Sequence, residues 1–237
     1  MDEHDRRALA FLADVDGTLR ELEHRLGHGG EGTYSLYVHV CADHTAVTPS
    51  QAERTEATRG ALVAAARALF GARGYAAVGT EEIVAAAGVT RGALYHHFRD
   101  KRDLFRAVFV DAEHGFVRRV AERVLPVDDP FDRLATALEA TLDACTDREL
   151  AQVAFLDGPA VLGFEEWRAI VEESSLGLLT LMLAQAMEAG ALRPAPADPL
   201  AHLVLGALNE AGMVIAAGGD RETVGSALRA LLDGLRP

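Results

Sequence analysis

The residues best suited to chemistry lie in the short run Thr90-Arg91-Gly92-Ala93. A threonine hydroxyl at a helix start can accept from a backbone amide, and a helix that opens on free amides with only small side chains lets its backbone come close to a phosphate or a base edge. Arg91 beside them can pair with a guanine edge or hold a phosphate. The preceding Ala87-Gly88-Val89 reads as a turn, with Gly88 in a left-handed conformation at the end of one helix and Val89 as a small apolar plug before the next. The two short helices form a helix-turn-helix candidate, although a generic glycine-bearing αα turn would look alike in this stretch alone. Elsewhere the chemistry is thinner. His24, His28, His39, Cys41 and His44 are spaced too irregularly for a metal site, and Cys41 and Cys145 make no disulfide framework, so no metal, catalytic residue or cofactor is expected.

Charge separates the segments that must position these residues. The chain has 237 residues and a net charge of −13, with 49% hydrophobic and 25% charged residues, enough for one or two cores. Residues 1–50 carry 4 basic and 9 acidic side chains, residues 51–110 carry 9 and 6, and residues 111–237 carry 10 and 21. Only the middle segment is basic, the pattern of a small polyanion-binding module on an acidic body. Lys101 is its, and the chain's, only lysine.

From Ser50 onward apolar residues recur at helical spacing. Ser50-Gln51-Ala52-Glu53 reads as a capping box ahead of Leu62, Ala65, Ala66, Leu69 and Phe70, and Gly71-Ala-Arg-Gly74 ends that helix. A short helix should begin at Thr80, whose hydroxyl caps it, and a second at Thr90. A long one should cover 103–124. Others are expected over 132–144, 148–155, 164–189, 198–217 and 221–235, with breaks at Leu125-Pro126, Gly158-Pro159 and Arg193-Pro194. The fold class is all-α. No stretch such as 176–184 reaches the roughly 20 apolar residues of a membrane span, so no membrane partner is expected. The chain shows no signal-peptide pattern, and a cytoplasmic setting is expected.

The run from Phe70 to Phe105 resembles the DNA-binding domain of the tetracycline-repressor (TetR) family of bacterial regulators. The matching residues are Ala68-Leu-Phe70, Gly74-Tyr75, Ile83, Ala87-Gly-Val-Thr-Arg-Gly-Ala-Leu-Tyr-His-His-Phe98, Lys101 and Leu104-Phe105. The resemblance implies an N-terminal three-helix helix-turn-helix domain over 50–110 and a helical effector-binding and dimerisation domain over 111–237. It implies that Thr80, Thr90, Tyr95, His96 and Lys101 touch phosphates while Arg91, Gly92 and Ala93 lie nearest the bases. Val84 departs from the pattern, which usually has Ala at the close contact between the two short helices. The bland readings are a core position for Tyr95, a solvated helix end for Lys101 and a structural role for His97.

A motif this small reads only a few base pairs, so a homodimer on a palindromic double-stranded operator is expected. Gly206, Ala207, Ala211 and Gly212 make a small-residue face on the 198–217 helix, which with 221–235 could form a four-helix bundle with its symmetry mate, as the resembled family does. A small-molecule effector should bind in the body. Phe155, Phe164, Trp167, Met182, Met187 and Met213 offer an apolar lining, with His202 and Asn209 as polar handles. The run Asp157-Gly-Pro-Ala-Val-Leu-Gly163 with Trp167 resembles a recurrent C-terminal subtype of these regulators.

Residues 1–49 read as an extension. Either translation starts near Val47-Thr-Pro-Ser50, or a flexible acidic arm tunes DNA affinity. Phe11-Leu-Ala-Asp-Val-Asp-Gly-Thr-Leu19 resembles the first motif of haloacid-dehalogenase-type phosphatases, in which Asp14 would be the nucleophile and Asp16 the general acid beside Mg²⁺. Fewer than 35 residues separate Leu19 from the helical body. A parallel sheet has no room there, and the non-enzyme reading stands.

Overall fold

The chain's break points carry the residues that helix termini need. The computed structural model describes residues 51–237, and all their regular structure is helical. The expectations on Ser50, Asp14 and Asp16, and His24, His28, His39, Cys41 and His44, lie outside the described residues. Helix α1 (Gln51–Arg73) closes where the Gly74 amide bonds the Phe70 carbonyl at 2.7 Å, with Gly74 at φ +80°. Helices α2 (Thr80–Ala87) and α3 (Arg91–His97) follow, joined through Gly88 at φ +66°. The cap of α2 differs from expectation. Gly79, not Thr80, is the N-cap, and the Glu82 carboxylate reaches back to the Gly79 amide at 3.0 Å, leaving Thr80 as the first helical residue.

Helix α4 (Lys101–Val124) starts two residues earlier than apolar periodicity suggested, because the Asp100 carboxylate caps it by accepting from the Asp103 amide at 2.7 Å. At 24 residues it is about 36 Å long. Leu62, Ala66 and Phe70 of α1, Ile83 and Val84 of α2, Leu94 of α3 and Leu104 and Phe105 of α4 are buried together with Phe98. Phe70, Tyr75 and Phe105 meet as an aromatic trio with ring centroids 5.2–5.6 Å apart. Val84 is thus taken into this core at the position where the resembled pattern has Ala.

Helix α5 (Pro130–Cys145) is capped by Asp129, with Pro130 in the first turn, where its missing N–H costs nothing. Helix α6 (Arg148–Ala151) is capped by Asp147 and opens into a π-helical segment (Gln152–Asp157) that runs on into α7 (Gly158–Leu162). The break expected at Gly158-Pro159 is therefore not there. Pro159 sits in the first turn of α7, the wide π-turn before it relieves the i−4 clash, and the chain bends instead at Gly163, φ +84°. Gly158 serves packing: a Cβ there would lie 2.8 Å from Trp167 Cδ1.

Helices α8 (Phe164–Glu188), α9 (Ala197–Ala216) and α10 (Arg221–Asp233) complete the body. By length and composition α8 and α9 could each cross a membrane, which corrects the expectation that no segment reaches that length. Here they pack against each other and against α5, with Leu183, Ala186 and Ala201 fully buried. Residues 57–237 form one compact unit.

Candidate nucleic-acid interface and internal cavity

At the turn, the Val89 amide bonds the Val84 carbonyl at 3.0 Å and the Gly88 amide bonds Ala85 at 3.2 Å, which satisfies two of the last carbonyls of α2. Thr90 then caps α3, its Oγ1 accepting from the Ala93 amide at 3.2 Å. Thr90, Arg91, Gly92, Tyr95 and His96 are exposed, while Ala93, Thr80 and Lys101 are half-buried. Tyr95 is 45% exposed, so it is not a core aromatic. Leu94 and Phe98 face the other way, into the core. One side of α3 is thereby anchored and the other presents short side chains, a phenol and an imidazole to solvent.

Two of the cations already have partners within the chain. The Arg91 guanidinium pairs with Glu81 at 2.8 Å and lies over the Tyr95 ring. Lys101 Nζ donates to the Tyr75 carbonyl at 2.5 Å and sits 3.9 Å from the centre of the Tyr75 ring. Burial holds the Lys101 pKa below the usual lysine range, against the opposing charges of Asp157 and Glu82. An ammonium has three donors, so this tether leaves two for a phosphate.

The turn after α1 and the start of α4 are tied to the body. The Tyr75 amide donates to Asp157 at 2.7 Å. Arg102 donates to the Glu166 carboxylate at 2.6 Å and to the Leu162 carbonyl at 2.8 Å, and Arg106 donates to the same carboxylate at 2.9 Å. Both arginines hold Glu166 below the usual carboxylate range against the opposing effect of its burial. Asp157 closes the π-segment, and Ala154 and Phe155 of that segment line an internal cavity.

The cavity offers about 70 Å³ to the centres of water-sized molecules and lies among α4, α5, the π-segment, α8 and α9. Of the residues expected to line a pocket, Phe155, Trp167, Met182 and Asn209 are on its wall. Phe164, His202 and Met213 are not. Phe164 is 59% exposed at the first position of α8, and His202 turns outward to Glu172, with Nδ1 3.3 Å from its carboxylate. Met213 lies one turn beyond Asn209 and is half-buried away from the wall, while the Met187 sulfur accepts from the Ala195 amide outside it. The small-residue face also splits. A Cβ on Gly212 would lie 2.4 Å from the Phe155 ring, so this glycine makes room for a cavity residue of its own chain, whereas Gly206 faces open space.

Glu113 of α4 is the acidic residue among the wall residues that the sequence reading did not name. It is 5% exposed, and burial pushes its pKa up to about 7. Its sequence signal was an acid on the inward stripe Phe109, Glu113, Val117, Val120, Val124, all of them buried. Cys145, also on the wall, has its thiol pushed to about 12 by burial and by Glu113, which makes it inert as a nucleophile.

An exposed, capped recognition helix on a glycine turn, carried by an all-helical body with an apolar cavity, defines a helix-turn-helix DNA-binding regulator. The family description "Bacterial regulatory proteins, tetR family" matches residues 62–108, and "Tetracyclin repressor-like, C-terminal domain" matches residues 131–235. The chain is 27% identical to the transposon Tn10 TetC protein of Escherichia coli over 66% of its own length and 79% of that protein. It is 34% identical to the transcriptional regulator CymR of Pseudomonas putida over 55% and 69% respectively. A TetR-family regulator from Pectobacterium atrosepticum superimposes with a TM-score of 0.72 at 30% identity, covering 79% of this chain and 98% of that one. The chain belongs to the TetR family of transcriptional regulators.

Proposed function

We propose that the protein is an effector-controlled repressor that binds a palindromic operator as a homodimer. Residues 50–110 serve DNA binding and 111–237 serve effector binding and dimerisation. The observation that carries the reading is the exposed N-terminal end of α3, capped by Thr90, on a chain whose body holds an apolar cavity. In this reading Thr80, Thr90, Tyr95, His96 and Lys101 contact phosphates and fix the register. Arg91, Gly92 and Ala93 face the bases, Arg91 exchanging Glu81 for a guanine edge. The relatives are regulators, not enzymes, and a DNA-binding role fits a cytoplasmic location.

Dimerisation is supported by the outer faces of α9 and α10, where Leu203 is 73% exposed, Leu231 64% and Val214 39%, with Gly206 open beside them. Large aliphatic side chains on two neighbouring helices suit a symmetric four-helix contact. Repression follows if the dimer covers promoter DNA, and release follows if the effector binds better to the geometry that does not fit the operator. The π-segment supports this coupling, because Phe155 lines the cavity while Asp157 holds the Tyr75 amide next to the Lys101 anchor. Footprinting on DNA flanking the protein's own gene tests the proposal. Protection of an inverted repeat supports it, and protection of a single half-site or of no sequence overturns it.

A further inference from the structure

Glu113 lies on the wall of a cavity otherwise made almost wholly of hydrocarbon, and among the described residues no cation or hydrogen-bond donor meets its carboxyl group. The polar groups around it are few. Cys145 and Thr141 of α5, Ser175 of α8 and Asn209 of α9 share the wall with it. The Thr141 hydroxyl already donates to the Ala137 carbonyl at 2.9 Å. Among the described residues the titratable groups of the wall are Glu113 and the high-pKa thiol of Cys145, and no described Lys, Arg or His lines the cavity. On α4 itself the neighbouring His114 is held neutral by burial, its pKa down at about 4, with Asp111 and Arg118 as its charged neighbours.

A buried carboxyl group without a partner is costly, and a cation that arrives with its own apolar surface removes the cost. A carboxylate ligand would be repelled by Glu113 and would meet no positive charge. A neutral hydrocarbon would leave the acid as unpartnered as before. We infer that the cavity takes an apolar amine, whose ammonium group donates to the Glu113 carboxylate while its hydrocarbon body lies among Trp167, Leu179 and Met182. The ammonium keeps its proton, and any proton on Glu113 leaves to solvent. This inference rests on the reading of the cavity as the effector site.

Trp167 lines the cavity and is the chain's only tryptophan, so its emission reports occupancy directly. The full-length protein is titrated with 4-phenylbutylamine, 4-phenylbutanol and 4-phenylbutyrate. The amine is expected to bind at least about tenfold tighter than the alcohol, and the acid more weakly than either. Glu113→Gln should abolish the preference while retaining alcohol binding. In the wild type, amine affinity should rise about tenfold per pH unit as pH climbs toward about 7, and alcohol affinity should not. This pH series needs only the wild type and so tests the assignment even if the variant fails to fold. Alcohol or acid binding as tightly as the amine, a preference unchanged in Glu113→Gln, or amine affinity flat with pH overturns the amine assignment and leaves the cavity as a ligand site. Binding of none of the three overturns both the assignment and the effector reading.

Discussion

Replacing Glu113 by glutamine should change how stability depends on pH. The carboxyl group titrates at about 7 in the fold, against an ordinary value of 4.5. Its pKa is raised, so between these values the folded chain holds a proton that the unfolded chain has released, and stability falls as pH rises. At roughly 1.4 kcal/mol per pH unit, the interval corresponds to about 3 kcal/mol lost between about pH 4.5 and 7. Below that window both states are protonated and the group is neutral in effect; above it the whole loss is present. Glutamine has no such titration, although its buried amide keeps a constant cost of roughly 1–2 kcal/mol. The difference between variant and wild type should therefore shift in the variant's favour by about 3 kcal/mol across the window. For a chain of this size that is about 6–12 °C in melting temperature. Urea or thermal melts of both proteins across the window measure it. Parallel stability curves would refute the placement of an unpartnered Glu113 in the cavity wall.

Other substitutions probe the interface and its connections. Lys101→Ala should weaken binding to specific and random DNA alike and lower the salt slope by about one unit in binding titrations, and an unchanged slope removes Lys101 from the phosphate set. Arg91→Ala should relax sequence preference more than overall affinity in competition with mutated operators, whereas equal loss on every sequence would make it a backbone contact. Asp157→Ala leaves the part-buried Tyr75 amide unpaired and should cost about 1–3 kcal/mol in urea unfolding; a neutral result would discount that tie. Gly212→Ala forces the Phe155 ring to move and should cost about 1–3 kcal/mol, with a changed Trp167 emission, since both rings line the cavity.

Much of the recognition end was legible from residue types because its requirements are local. Gly88 ends α2 in the left-handed conformation and Thr90 caps α3. Both follow from backbone geometry within a few residues. Residue type alone does not choose between neighbouring local alternatives, nor does it show what packs on a glycine. Thr80 reads as a cap, yet the Glu82 carboxylate turns back to Gly79 and moves the cap by one position. Gly158-Pro159 reads as a break, yet a π-turn absorbs the proline and Trp167 requires the glycine.

The cavity shows the larger gap. Aromatic and methionine residues at helical spacing are equally suited to a core and to a pocket, and pattern does not say which side of a helix faces the space. Phe164 and His202 therefore fell outside it, and Gly212, read as a surface for a second chain, holds Phe155 instead.

Sequence alone determined the helical class and the turn, because periodicity and capping act over a few residues along one chain. Only the tertiary structure decided what Glu113, Lys101 and Asp157 are beside. Burial, the Tyr75 carbonyl and the tie between π-segment and recognition domain arise from residues 26 to 82 positions apart in the chain, brought together by packing.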